Sequence, residues 1–112
     1  MVYVHLADGF EEVEALTAVD VLKRAGVDVK MVSVTGEKTV TGTHGIKVCA
    51  DVIFEDADYD SCKMIVLPGG LPGAENLKNH EGLNEKIDEF IQKEKDLAAI
   101  CAAPMVLGAH AQ

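Results

Sequence analysis

A chain of 112 residues, 48% of them hydrophobic, can bury one real core but is too short for two domains. Its 19 acidic residues outweigh 10 basic ones, and a net charge of −9 argues against a nucleic-acid surface, which needs a basic patch. The longest apolar run, 97–109, is broken by Pro104 and Gly108 and falls short of the ~20 residues of a membrane span. Asp8, Glu11 and Glu12 come too early for a secretory leader, so a cytoplasmic setting is expected.

Residues 2–7 form a short apolar run rich in β-branched and aromatic side chains, the pattern of a strand, and Asp8-Gly9 ends it. Residues 11–25 follow as a helix with Gly26 as its stop. Residues 27–34 predict a second strand. Residues 39–41 and 46–52 predict a small β excursion around Gly42 and Gly45. Residues 64–67 make a fully apolar strand that runs into Pro68-Gly69-Gly70. An acidic helix starts at Asn79 or Glu81 and runs to Lys93, with Leu83, Ile87, Phe90 and Ile91 as its apolar positions. Residues 97–100 predict another buried strand, and 103–109 another helix. Short apolar strands alternating with helices indicate a single α/β domain over 1–112, a parallel sheet covered on both faces. In such sheets, sites lie at the carboxyl ends of the strands. That rule selects the segment 8–11, Pro68-Gly69-Gly70 and Cys101.

Cys49, Cys62 and Cys101 are odd in number and far apart. They form no CxxC pair, so neither a zinc site nor a disulfide framework is indicated, and no cofactor motif accompanies them. Cys101 lies between small residues, in Ala99-Ile100-Cys101-Ala102-Ala103. A nucleophile elbow needs small residues two before and two after the nucleophile, because strand and helix pass closely at the turn. Pro104 then falls in the first helical turn, where its missing N–H costs nothing. A thiol at that helix start is made more acidic by the dipole. The alternative is a buried structural cysteine, a common fate of the residue.

Glu14 shares a helical face with Ala18, Val21, Leu22 and Ala25, with Glu12 and Lys23 opposite. The wheel therefore points Glu14 at the sheet, where desolvation favours a protonated carboxyl able to donate a hydrogen bond. The alternative is an interaction with the helix dipole, the role expected of Glu11 and Glu12. Gly69-Gly70 either offers backbone N–H groups to an oxyanion or makes a tight turn. None of the four histidines is a clear partner for the thiol. His5 lies within the first strand, His44 in the hairpin loop, and His80 opens a surface helix. His110 lies nine residues beyond Cys101, ~13 Å further along a helix.

Three stretches in this order, "ADGFEEVEALTAVDVLKRAG", "VLPGGLPGAENL" and "AAICAAPMVLGAH", resemble the ThiJ/PfpI superfamily. The nearest branch holds the parkinsonism-associated protein deglycase and bacterial ThiJ-like relatives. The resemblance runs from Val2 to His110. It implies a flavodoxin-like fold of the class I glutamine amidotransferase type, of which these residues are the N-terminal part. It also implies a homodimer, with Cys49 near the dimer contact. By the same likeness Cys101 is the reactive cysteine, Glu14 the protonated carboxyl beside it, and Gly70 and Ala102 the backbone donors. Relatives continue further and supply a histidine near the cysteine. Ala103 stands where close relatives often carry glycine, a mild change at the elbow.

The function expected from this likeness is a cofactor-free, metal-free, cysteine-dependent glyoxalase or deglycase acting on small dicarbonyls or their adducts. Three alternatives accompany it. One is an oxidative-stress sensor or chaperone whose thiol stops at sulfinic acid. Another is a PfpI-type peptidase, and the last an inactive fragment. No nucleic-acid or membrane partner is expected.

Overall fold

The structure is a computed structural model, and the described residues are 1–69, 73–93 and 96–99, with the backbone alone at 74 and 96–99. Its centre is a five-stranded sheet built from β1 (Val2–Leu6), β2 (Val29–Ser33), β5 (Val52–Ile53), β6 (Met64–Leu67) and β7 (Asp96–Ala99). The spatial order is β5-β2-β1-β6-β7, and every pair is parallel. All five residues of β1 are buried, as expected of a central strand covered on both faces. From β1 the chain builds outward through β2 to β5, then returns to the other side of β1 for β6 and β7. The order therefore reverses between β1 and β6, the place where open α/β sheets carry their sites.

The pleat of β1 sends alternate side chains into two cores. Val2, Val4 and Leu6 pack with Phe10, Ala15, Val19 and Val40, under helix α1 (Glu12–Arg24) and the hairpin β3–β4 (Thr39–Thr41, Lys47–Cys49). Tyr3 and Ala7 pack with Ile65, Leu67 and Tyr59 under helices α2 (Gly73–Lys78) and α3 (Glu81–Gln92). Leu83, Ile87 and Phe90 recur at helical spacing and are the buried face of α3, while the rest of that acidic helix stays solvated. His80 caps α3: its Nδ1 accepts the N–H of Leu83 at 2.9 Å. Gly26 ends α1 as expected, with φ of 79°, donating to the Lys23 carbonyl at 3.1 Å while Val27 donates to Leu22 at 3.0 Å.

Four expectations change. Strand β2 is shorter than 27–34, because residues 27 and 28 serve the helix stop and the turn. The run 46–52 is two elements rather than one. Asp51 divides it: its N–H donates to the Met31 carbonyl at 2.9 Å and its carboxylate accepts the Met31 N–H at 2.8 Å, which hands the chain from the hairpin to β2. Val52–Ile53 then pairs with β2 as the sheet edge. Helix α2 was not expected, its six residues lying directly behind a Pro/Gly-rich stretch. Strand β7 begins at Asp96, and the helix expected over 103–109 lies outside the described residues. No helix among the described residues is long and apolar enough to cross a membrane.

Candidate active site

The reversal point brings together the loop after β1 and the loop after β6. Gly69 is bonded in both directions by the start of α1. Its carbonyl accepts the Glu11 N–H at 2.9 Å, and its N–H donates to Glu14 Oε1 at 3.2 Å. Glu11 is the N-cap, its carboxylate accepting the Val13 N–H at 3.2 Å. Glu14 is half-buried in the first turn of α1, beside buried Pro68 and Gly69. The loop after β1 is pinned from the other side too. Gly73 donates to the Gly9 carbonyl at 3.1 Å, and Asn76 Nδ2 to the Asp8 carbonyl at 2.7 Å.

The expected direction of Glu14 toward the strand ends is met, but the helical phase behind that expectation is corrected. The buried residues of α1 are Glu12, Ala15 and Val19, whereas Val21 is 56% exposed and Ala25 is also exposed. Two apolar stripes run along α1, and the one containing Val13, Leu16 and Val21 faces outward. Glu12, placed opposite the sheet by the wheel, is inside.

Glu12 is the residue that the sequence did not single out. Its side chain is only 4% exposed. Oε1 accepts from His44 Nδ1 at 2.8 Å, and Oε2 accepts the backbone N–H groups of His44 at 2.9 Å and Ile46 at 3.2 Å. Desolvation pushes the Glu12 carboxyl up, but these hydrogen bonds from the His44 ring and the loop backbone outweigh it and hold the group at about 2. The same hydrogen bond, helped by the charge of Glu11, raises His44 above its ordinary value. A side chain at Gly42 would overlap the Glu12 carboxylate, so the hairpin turn is shaped around it. The signal in the sequence was the pair Gly42 and His44, but their partner lies some 30 residues earlier.

Glu11, Glu12 and His44 offer donor atoms within 4.8 Å of one another, the one such trio among the described residues. Both oxygens of Glu12 and Nδ1 of His44 are already engaged in hydrogen bonds, so the trio is a clasp rather than an open coordination site. His5 is fully buried, as expected of a core residue, with Nε2 2.6 Å from the Tyr59 hydroxyl. Burial, offset in part by the backbone of Val66 and Tyr3, pushes its imidazole down to about 4. Cys49 is exposed on β4, and Cys62 is buried with its thiol 3.2 Å from the Met64 carbonyl. An open groove of about 600 Å³ lies between Phe54, Tyr59, His80 and Lys86, with no cysteine, serine or threonine in its lining. Gly70, Cys101, Ala102 and His110 lie outside the described residues.

Parallel strands sandwiched by helices, with a carboxylate where the strand order reverses, define a flavodoxin-like α/β fold. The DJ-1/PfpI family matches residues 1–112, and the chain belongs to that family. Protein DJ-1 homolog B of Arabidopsis thaliana is 38% identical over 106 residues, which cover 95% of this chain and 24% of the relative. The Parkinson disease protein 7 homolog of Danio rerio is 38% identical over 109 residues, 94% of this chain and 56% of the relative. The solved structure of oxidized Toxoplasma gondii DJ-1 superposes with a TM-score of 0.93 at 35% identity, over 97% of this chain and 60% of that one. The chain thus spans less than two thirds of the length of each.

Proposed function

We propose that this chain carries the N-terminal part of a cysteine-dependent, cofactor-free centre that converts small dicarbonyls, or their adducts, to hydroxy acids. The observation that supports it is Glu14 Oε1 at 3.2 Å from the Gly69 N–H, at the strand reversal where the family likeness sets Cys101. In this proposal the Cys101 thiolate attacks the aldehyde carbon and the aldehyde oxygen takes up a proton, giving a hemithioacetal. Backbone N–H groups of Gly70 and Ala102 hold the developing oxyanion. Glu14 then removes the proton from that carbon as the neighbouring carbonyl oxygen takes one up, giving an enediol. It returns a proton to the neighbouring carbon while the first hydroxyl loses its own, leaving the thioester of a hydroxy acid. Water cleaves the thioester, releasing the acid and restoring the thiol. No electron acceptor is needed, because oxidation of one carbon balances reduction of the next. The working unit in this proposal is a homodimer, and the outward apolar stripe of α1 is the surface that supports it.

The test is site-resolved alkylation of Cys49, Cys62 and Cys101 across pH, with turnover of methylglyoxal by the C101S and E14Q variants. Cys101 is expected to react well below the ordinary thiol pKa of about 8.5, ahead of the other two. C101S should abolish turnover, and E14Q should lower it at least ~100-fold, the usual worth of a positioned acid–base group. Cys101 as the slowest thiol, or full activity in both variants, overturns the proposal. A second proposal, an oxidation sensor, draws on the relative whose solved structure is described as oxidized. Peroxide would then carry Cys101 to sulfinate with the fold intact, ahead of Cys49 and Cys62, in a protein that turns over no dicarbonyl.

A further inference from the structure

Glu12 and Glu14 stand two residues apart in the first turn of α1, so they leave the helix roughly 200° apart. One reaches the hairpin loop and the other reaches Gly69. Together they fix the rotation of the helix start about its own axis. The hairpin side is the stronger hold. Glu12 accepts three hydrogen bonds there, the turn at Gly42 leaves room for its carboxylate, and Thr43 donates to the Phe10 carbonyl at 2.8 Å. Gly9 donates to Thr41 at 2.8 Å, and Thr41 donates to the Asp8 carboxylate at 3.1 Å. The hairpin thus grips the segment that delivers Glu14, yet it lies outside the five-stranded sheet.

We propose that Glu12, clasped by His44 and the hairpin loop, is a positioning residue that sets the helix phase bringing Glu14 to Gly69. The clasp is tightest with His44 protonated, because Nδ1–H then donates to the Glu12 carboxylate with the ring carrying a full positive charge. The charged groups acting on His44 among the described residues are Glu12 and Glu11, both from the start of α1. Loss of the proton removes the charge, though the neutral Nδ1–H tautomer keeps one hydrogen bond. The inference rests on Glu14 being the carboxyl of the proposed site, but its test reads Gly69 and His44 instead of turnover. An inactive wild type with an intact clasp would sink the proposed chemistry alone. An active protein without the coupling below would sink the clasp alone.

The experiment is amide hydrogen exchange at Gly69 together with an NMR pH titration of the His44 ring. The chains compared are the wild type and the E12A, E12Q and G42A variants. E12A is expected to speed Gly69 exchange about tenfold, the worth of one hydrogen bond, while the β1 amides of Val4 and Leu6 keep their protection. G42A should do the same with Glu12 and His44 both retained in the sequence, because the added methyl displaces the carboxylate. E12Q is the rescue: its amide oxygen can accept both loop N–H groups while its NH2 donates to neutral His44 Nδ1. Gly69 protection should then return, and the His44 pKa should fall from its wild-type position, since of the two carboxylates only Glu11 still raises it. Unchanged Gly69 exchange in a folded E12A or G42A chain overturns the inference. So does equal acceleration at Gly69, Val4 and Leu6, which would mark a general loss of stability. Should E12A not fold, Gly69 exchange in the G42A chain decides alone, and exchange equal to the wild type overturns it.

Discussion

The buried histidine of β1 makes a quantitative prediction. His5 shares one hydrogen bond with the Tyr59 hydroxyl through Nε2, and its Nδ1 has no hydrogen-bond partner among the described residues. A second ring proton would place a full charge in the core, removed from water, and the backbone of Val66 and Tyr3 offsets that cost only in part. That is the physical reason its imidazole sits at about 4 rather than at 6.5. The folded pKa lies below the unfolded one, so the unfolded chain takes the proton first. Stability is therefore complete above about pH 6.5 and declines as pH falls toward 4. At 1.36 kcal/mol per pH unit the whole window is worth about 3 kcal/mol, and about 2 kcal/mol of it is lost by pH 4.5.

Urea unfolding at about pH 7 and about pH 4.5 measures this directly. The comparison is a His5→Leu, Tyr59→Phe double variant, which removes both polar partners and leaves neither unpaired. Wild type should lose about 2 kcal/mol more than the double variant between the two conditions. The two shifted groups of the clasp, Glu12 and His44, are present in both chains and cancel in the comparison. Glu12 is depressed, so its contribution is lost only as pH falls from about 4.5 toward about 2. His44 is raised, so its contribution is complete below about 6.5 and is lost as pH rises through its folded pKa. An equal loss in wild type and double variant, or a His5 ring that titrates near 6.5 by NMR, would refute the reasoning.

Two further outcomes test the packing. Ile87→Ala removes a fully buried side chain from the face of α3 and should cost about 2–5 kcal/mol by urea unfolding, whereas Ile91→Ala on the exposed side should cost under about 1 kcal/mol. Val13 is 70% exposed and Val21 56%, so Val13→Asp with Val21→Asp should leave stability nearly unchanged yet shift sedimentation from dimer toward monomer. A wild type that sediments only as a monomer at all concentrations would deny the outward stripe that role.

The elements most legible in the sequence were those whose burial is two-sided or strictly periodic. β1 and β6 read as strands because nearly every side chain in them is apolar, and α3 read correctly because Leu83, Ile87 and Phe90 repeat on one face. Helix α1 misled the wheel for a physical reason. It carries one apolar stripe for the sheet and another that faces outward, and hydrophobicity alone cannot tell which is core. The division at Asp51 was hidden because it depends on Met31, a residue of a neighbouring strand. Near the candidate site, the topology rule selected the segments 8–11 and 68–70, whose Glu11 and Gly69 meet at the strand reversal, while Glu14 was directed there by a wheel whose phase was off. The burial of Glu12 was not legible, since a lone carboxylate in a first helical turn looks like a dipole partner until the hairpin folds back on it.

That contrast separates two carboxylates that composition treats alike. Glu12 is filled: its oxygens are saturated by two backbone N–H groups and an imidazole, and its charge is locked down to about pH 2. A group so satisfied is a poor proton carrier, because every proton it gains must displace a hydrogen bond. Glu14 stands half-buried at the strand reversal, with one oxygen on the Gly69 N–H. A helix start that needs one immobile carboxylate to aim another places them two residues apart, since one-turn spacing would send both to the same side and adjacent residues diverge by only about 100°. The Glu-Val-Glu order of residues 12–14 meets that requirement, and the hairpin supplies the anchor.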